Sequence, residues 1–332
     1  MTTALVSKAF IQQFGQALTA QAKSAGQTVE FMTLPEAPGA RLAPSEYEKI
    51  NCIFLDRDIR FNEQLNDAFS EALLNMSQLQ WIHYTSSGIG QQLHIKTLNA
   101  RGVLTTSSTG SNAQPVAQTG LTGLLMLARG FTTYVKSQQK HEWSPLRGNT
   151  LPEDLMGQTL VIIGLGAVGK TLAGYARALG LKVIGVRRSP LTPSDPVDEM
   201  FHPSKLLQVL PRADWVVIAC PLTPETENMI EAKAFGSMKR GVRLINIGRG
   251  EVVNEASLIE HLKNGHLAGA ALDAHCQEPL PADSPLWDLP NVIITPHNAS
   301  ASQGNEQRCA DMFVKNFGHW VRKEPMFNLQ SV

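Results

Sequence analysis

Three polar residues in the last third of the chain are of types that could together move a proton and hold an anion. Arg249 follows Ile245-Asn246-Ile247-Gly248, Glu278 comes after Ala270-Ala271-Leu272-Asp273, and His297 follows Ile293-Ile294-Thr295-Pro296. A guanidinium can grip a carboxylate through two parallel hydrogen bonds and polarise a neighbouring carbonyl. An imidazole can donate or accept a proton near neutral pH, and a carboxylate beside it can orient the ring and favour its charged form. The set would suffice to reduce a 2-keto acid, given a hydride donor. Taken singly, each residue also reads as ordinary: a turn arginine, a loop charge before Pro279, a satisfied histidine after a proline. What joins them is placement, because each lies just past an apolar run, where ligands bind in open α/β sheets.

A hydride donor is suggested by Gly164-Leu165-Gly166-Ala167-Val168-Gly169. The pattern GxGxxG alone is weak, but here it directly follows an apolar run and opens an amphipathic segment. In that context Gly164, Gly166 and Gly169 permit a tight turn, close approach of a pyrophosphate and close helix packing, and the helix start at Ala167 and Val168 faces the phosphate charge. A purely structural turn is the ordinary alternative. The end of the next apolar run discriminates between cofactors. A carboxylate there would accept hydrogen bonds from the ribose of NAD, whereas this chain has Arg187, Arg188 and Ser189. Two guanidiniums and a hydroxyl suit the 2'-phosphate of NADP, so NADP(H) is expected to be preferred, with NAD(H) as the second option. A solvated surface pair is the alternative.

The elements that must hold these residues follow from periodicity. Six short apolar runs, 159–163, 182–186, 215–219, 242–247, 268–272 and 291–295, alternate with helix-period segments, the pattern of a parallel sheet covered by helices. The helix after the glycine motif puts Val168, Leu172, Tyr175, Ala176 and Leu179 on one face and stops at Gly180. The first hundred residues read as a smaller α/β unit, with strands near 3–6, 28–34 and 51–55 and a helix over 8–24. A long helix is expected over 114–129 and another over 303–323, the latter returning to the first domain. The expected fold is therefore α/β, with two Rossmann-like domains of parallel sheets covered by helices and a cleft between them. Residues 109–298 would form the dinucleotide-binding domain, and residues 1–108 plus 299–332 a flavodoxin-like substrate domain.

Composition narrows the class of partner. The chain has 332 residues, enough for two domains, with 29 basic and 29 acidic side chains in balance. Nothing in it marks a nucleic-acid surface, a polybasic membrane patch or a disordered tail. Cys52, Cys220, Cys276 and Cys309 are far apart and form no CxxC pair, which argues against a zinc site and for a reducing cytoplasm. The first residues show no basic region followed by a long apolar one and no apolar run approaches bilayer length, so neither secretion nor membrane insertion is expected. The expected partner is a small molecule.

These segments together resemble the D-isomer-specific 2-hydroxyacid dehydrogenase family, which includes glyoxylate/hydroxypyruvate reductases and D-3-phosphoglycerate dehydrogenases. The similarity runs from about Leu79 to Ala299 and is dense over 157–170, 221–226, 245–253 and 269–297. The resemblance implies that Arg249, Glu278 and His297 are the catalytic residues and that Asp273 contacts the nicotinamide carboxamide. It implies that Cys220, Pro221, Thr226 and Ile247 line the cofactor, that the backbone of Ser87 and Gly88 binds substrate carboxylate, and that the protein is a homodimer packed through its nucleotide domains. The chain departs from the family pattern at Gly90, where an acid is usual, at Ala117-Gln118-Thr119-Gly120 in the linking helix, and at Ala274-His275-Cys276-Gln277. The implied activity is interconversion of a small 2-keto acid and a D-2-hydroxy acid, of the glyoxylate/hydroxypyruvate type. The alternatives are a phosphoglycerate-dehydrogenase-like enzyme and a dinucleotide-sensing, corepressor-like binding protein.

Overall fold

A computed structural model describes the whole chain except residues 36, 38, 39, 63–68, 71, 87–93 and 331–332. The chain divides into two compact units, residues 1–111 with 302–332 and residues 112–301.

The first unit is a parallel sheet in the order β2-β1-β3-β4-β5, formed by β1 (Thr2–Leu5), β2 (Val29–Met32), β3 (Cys52–Leu55), β4 (Trp81–Tyr84) and β5 (Leu104–Ser107). Helices cover such a sheet on both faces, so β3 can be apolar without alternation. The helix Lys8–Ser24 starts where the Ser7 hydroxyl accepts the Phe10 N–H at 3.1 Å, and it buries Phe10, Phe14, Leu18 and Ala22. The chain's end completes this core. The helix Asn305–Val321 carries Phe313, which stacks on Phe54 and Trp81 with ring centroids 4.7 and 5.0 Å away.

Strands β4 and β5 escape a search for apolar runs, and the reason is visible in their partners. Thr105, Thr106 and Ser107 are buried although polar. Trp81 Nε1 donates to Thr106 Oγ1 at 2.8 Å, and the His83 ring pairs with Thr106 Oγ1 at 2.7 Å and Ser108 Oγ at 3.0 Å. Burial pushes the His83 imidazole down to about 3, so it is neutral and its hydrogen bonds are met inside the sheet.

The second unit carries seven parallel strands: β6 (Thr159–Ile163), β7 (Lys182–Val186), β8 (Glu199–Phe201), β9 (Trp215–Ile218), β10 (Val242–Asn246), β11 (Leu267–Leu272) and β12 (Val292–Ile294). Their order is β12-β11-β10-β9-β6-β7-β8. The six apolar runs are the six strands β6, β7 and β9 to β12, with ends moved by at most one residue. The additional strand, β8, is a three-residue edge strand whose Glu199 is exposed, too short and too polar to stand out. The helix Ala113–Ala128 lies directly on the sheet. A Cβ on its Gly123 would come within 2.6 Å of the Ala271 Cβ, so glycine is what permits the approach. Strand order reverses between β6 and β9, which sets the crevice for a ligand at their carboxyl ends. Among the described residues no helix is long and apolar enough to cross a membrane.

Candidate active site

At the reversal point the glycine turn is built for an anion. Gly164 has φ +98°, and a Cβ there would collide with the backbone of Ala219 and Cys220 at the end of β9. A Cβ at Gly169 would strike the Gly164 carbonyl, whereas at Gly166 it would meet nothing within 4 Å. The helix Ala167–Ala178 makes its first internal bond from Lys170 N–H to Gly166 O at 2.9 Å, and no side chain caps it. The amides of Ala167, Val168 and Gly169 therefore lie ahead of that bond, at the positive end of the helix dipole, over open space. This cradle fits a dinucleotide pyrophosphate. Cys220 is buried, which pushes its thiol up to about 11, so it serves as a small spacer beside the turn. In the following loop Thr226 Oγ1 donates to Pro221 O at 2.8 Å and accepts the Thr223 N–H at 2.7 Å, holding the loop's shape. Ile247 is buried at the end of β10, against the helix at Gly120.

Beyond β7 the two arginines differ in their surroundings. The Arg187 guanidinium donates to both oxygens of Asp195, at 2.9 and 2.6 Å, and to the carbonyls of Ser189, at 3.0 Å, and Pro190. Arg188 and Ser189 are exposed. Sequence reasoning treated the two arginines as one pair. Asp195, eight positions after Arg187, gave no signal because an acid in a Pro/Ser/Thr-rich loop usually reads as a solvated turn residue.

The candidate proton-handling residues follow the carboxyl ends of three neighbouring strands. In register, Asn246 of β10 pairs with Leu272 of β11, and Leu272 with Ile294 of β12, so the residues after these positions leave the sheet at one edge. Arg249 is exposed there, and Asn246 builds its turn: the Asn246 amide donates to Arg249 O at 2.9 Å and its carbonyl accepts the Gly248 N–H at 3.0 Å. Glu278 Oε2 lies 2.7 Å from His297 Nδ1, and Oε1 accepts the His275 N–H at 3.0 Å. Partial burial pushes the Glu278 carboxyl up, but the His275 amide and the His297 ring outweigh it and hold the group below the usual carboxylate range. With Nδ1 facing a carboxylate, Nδ1 carries a proton in either charge state of the ring, and Nε2 is the nitrogen whose proton comes and goes. Both side chains are more than a third exposed, 38% for His297 and 36% for Glu278, so reactants can reach them.

Asp273 is buried and faces the His297 segment. Its Oδ1 accepts from Thr295 Oγ1 at 2.6 Å and from the Asn298 N–H at 3.0 Å, and its Oδ2 accepts the Ala299 N–H at 3.1 Å. It thus secures the loop in which His297 adopts φ +50°. The His275 ring reaches Thr295 O at 3.1 Å and secures the same loop. Asn246 and His275 were missed by sequence reasoning, since both act through backbone partners that are distant in sequence or hidden in a turn. The structure brings Arg249, Asp273, Glu278 and His297 to one sheet edge; Ser87 and Gly88 lie outside the described residues.

The chain is similar to known proteins in sequence and in fold. Residues 121–299 match the family described as D-isomer specific 2-hydroxyacid dehydrogenase, NAD binding domain. A glyoxylate reductase of Korarchaeum cryptofilum is 34% identical over 244 residues, 71% of this chain and 72% of that protein. A glycerate dehydrogenase of Methylorubrum extorquens is 37% identical over 221 residues, 64% of this chain and 67% of that protein. A D-isomer specific 2-hydroxyacid dehydrogenase from Xanthobacter autotrophicus, solved with NADPH and MES, superposes with a TM-score of 0.73 at 27% identity, covering 99% of this chain and 98% of its own.

Proposed function

The chain belongs to the D-isomer specific 2-hydroxyacid dehydrogenase family, a family of nicotinamide-dependent oxidoreductases, and we propose that it is a glyoxylate/hydroxypyruvate-type reductase that prefers NADPH. The Glu278–His297 pair, 2.7 Å apart at the strand edge that also carries Arg249, is the observation that carries this reading. With its pyrophosphate at the glycine turn, the dinucleotide would supply a hydride from its nicotinamide to the 2-carbon of the keto acid. Arg249 holds the substrate carboxylate and polarises its carbonyl, and His297 gives the Nε2 proton to the oxygen that becomes the hydroxyl. Glu278 keeps the ring oriented and favours its charged form. Asp273 is assigned to the nicotinamide carboxamide as well as to the His297 loop.

The substrate class is supported by the relatives named glyoxylate reductase and glycerate dehydrogenase. The cofactor preference is supported by Arg188 and Ser189 where an acid would recognise NAD, and by the NADPH in the Xanthobacter structure. Domain limits of 1–108 with 299–332 and 109–298 are close to the compact units. A homodimer is supported by apolar side chains exposed along residues 131–156 of the second unit, where Phe131, Tyr134, Val135, Leu151 and Met156 are exposed and Trp143 is 96% exposed. A second copy is the occupant these residues imply. Four free cysteines, three of them buried, fit a reducing cytoplasm.

A scan of NADPH and NADH oxidation across glyoxylate, hydroxypyruvate, pyruvate and bulkier 2-keto acids tests the reading. The two small acids with NADPH should give the highest kcat/KM, and Arg249→Lys should lower kcat and raise KM, because an ammonium cannot grip two oxygens in one plane. Nucleotide binding without turnover of any keto acid would instead make the chain a dinucleotide sensor.

A further inference from the structure

Asp195 takes more hydrogen bonds than a solvated loop acid would. Its side chain is fully buried and accepts from both terminal nitrogens of Arg187, from the Thr192 N–H at 2.7 Å, from Thr192 Oγ1 at 2.9 Å, and from Lys170 Nζ at 2.8 Å. Lys170 stands directly after Gly169, so this one carboxylate ties the start of the pyrophosphate helix to the turn after β7. Arg187, and after it Lys170, hold Asp195 far below the usual carboxylate range. Five donors fill the four lone-pair positions of a carboxylate, so Asp195 is not free to accept ribose hydroxyls in the manner of an NAD-selecting acid.

The same count limits Arg187. Its Nε, one N–H of Nη1 and both of Nη2 are directed to Asp195, Ser189 O and Pro190 O, and its side chain is 12% exposed. One N–H is left, too few for a bidentate grip on a phosphate. Arg188 next to it is exposed, and its charge is felt by Glu225 in the loop after β9, which it helps to hold below the usual carboxylate range after the Thr223 hydroxyl. The turn from 187 to 195 is thus pinned from inside by the Arg187–Asp195 pair and presents Arg188 and Ser189 outward.

We propose that Asp195 is a positioning residue for cofactor selection: it locks Arg187 as the internal staple of the turn and so fixes Arg188 and Ser189 as the contacts for the 2'-phosphate. This rests on the NADPH reading above. Its consequence is that the two arginines have different tasks. Arg188 touches the phosphate, and Arg187 acts through Asp195.

Adenosine 2',5'-bisphosphate and AMP differ only in the 2'-phosphate, and the ratio of their affinities for the purified full-length protein, measured by calorimetry, isolates that group without turnover. The bisphosphate should bind the native protein at least about tenfold more tightly, and Arg188→Ala should bring the ratio near one. A native ratio near one would defeat the NADPH reading itself. With that reading standing, Asp195→Asn should lower the ratio about tenfold, Arg187→Ala should do the same, and the double variant should be no worse than either single change, as expected of a pair acting as one unit. Asp195→Glu keeps the charge while displacing it by one methylene. Should Asp195→Asn fail to fold, this variant must still lower the ratio. A ratio unchanged by either Asp195 variant, or raised by it, overturns the proposal, because the carboxylate would then be a structural staple alone or merely a charge opposing the phosphate. Additive losses in the double variant overturn it too.

Discussion

Both oxygens of Glu278 are in use, one on the His275 N–H and the other on His297 Nδ1, and on the proposed function that division makes the pair a proton device. Keto-acid reduction needs the imidazolium beforehand, while oxidation of the hydroxy acid needs the neutral ring. The Glu278 carboxyl is held below its ordinary value of 4.5, so it is ionised across the neutral range. The sign of its linkage to stability is fixed by the same fact. A depressed acid contributes stability above its unfolded value, and that contribution is lost as pH falls through the folded one, below about 4.5. Glu278→Gln keeps the shape and removes the charge that favours imidazolium. The alkaline limb of kcat/KM for reduction should move to lower pH, so that the loss at about pH 8 is roughly tenfold greater than at about pH 6, and the acid limb of oxidation should move the same way. A uniform loss at all pH values would show that Glu278 orients the ring without setting its charge. That Arg249, Glu278 and His297 would lie at one sheet edge was legible in the sequence, because each follows an apolar run that is a strand. Asn246, His275 and Asp195 were not, because their work is done through backbone atoms and through partners on separate elements.

Elements were legible to the degree that burial makes them apolar. Strands β6 and β9 lie inside the sheet with helices on both faces, and their residues Leu160–Ile163 and Trp215–Ile218 are all buried. In β5 the buried side chains are hydroxyls, Thr106 satisfied by Trp81 and His83, Thr105 by Asn99 and Ser107 by Thr109, so burial leaves no apolar trace. The helix Ala113–Ala128 was visible as a helix, but its close approach to the sheet was not, since that depends on what lies under two glycines. This gives an element-scale prediction. In an exposed helix Gly→Ala stabilises by about 1 kcal/mol. At Gly123 the new Cβ would lie 2.6 Å from the Ala271 Cβ, and overpacking of a filled interface costs about 1–3 kcal/mol. The clash should win. Gly123→Ala should lower the melting temperature of the second unit by a few degrees, and Ala271→Gly added to it should recover most of that loss. A melting temperature raised by Gly123→Ala alone would mean that the helix can lift from the sheet at no cost.

At the scale of the molecule, the first unit is closed by the chain's last thirty residues, and the sequence pattern of residues 303–323 already placed aromatic side chains at helical spacing there. Phe313 shows how tightly that end is committed. It is fully buried, stacked on Phe54 and Trp81, and edge-on to Phe10 at 5.5 Å. Removing a buried phenylalanine costs about 3–5 kcal/mol, and aromatic pairs of this kind add about 0.5–1.5 kcal/mol each beyond area. Against a domain stability of about 5–15 kcal/mol, Phe313→Ala should leave the first unit close to unfolding. The glycine turn, Arg188 and the Glu278–His297 pair all belong to the second unit, whose cores contain no residue of the Asn305–Val321 helix. The variant should therefore separate the two units thermally. Calorimetry should show one transition moved down by ten degrees or more, with the other near its native position. At a temperature between them, titration should still detect nucleotide binding while keto-acid turnover is absent. If nucleotide binding and turnover were instead lost together in one cooperative transition, the two units would have to be treated as a single folding body, and Phe313 as part of a core shared by both.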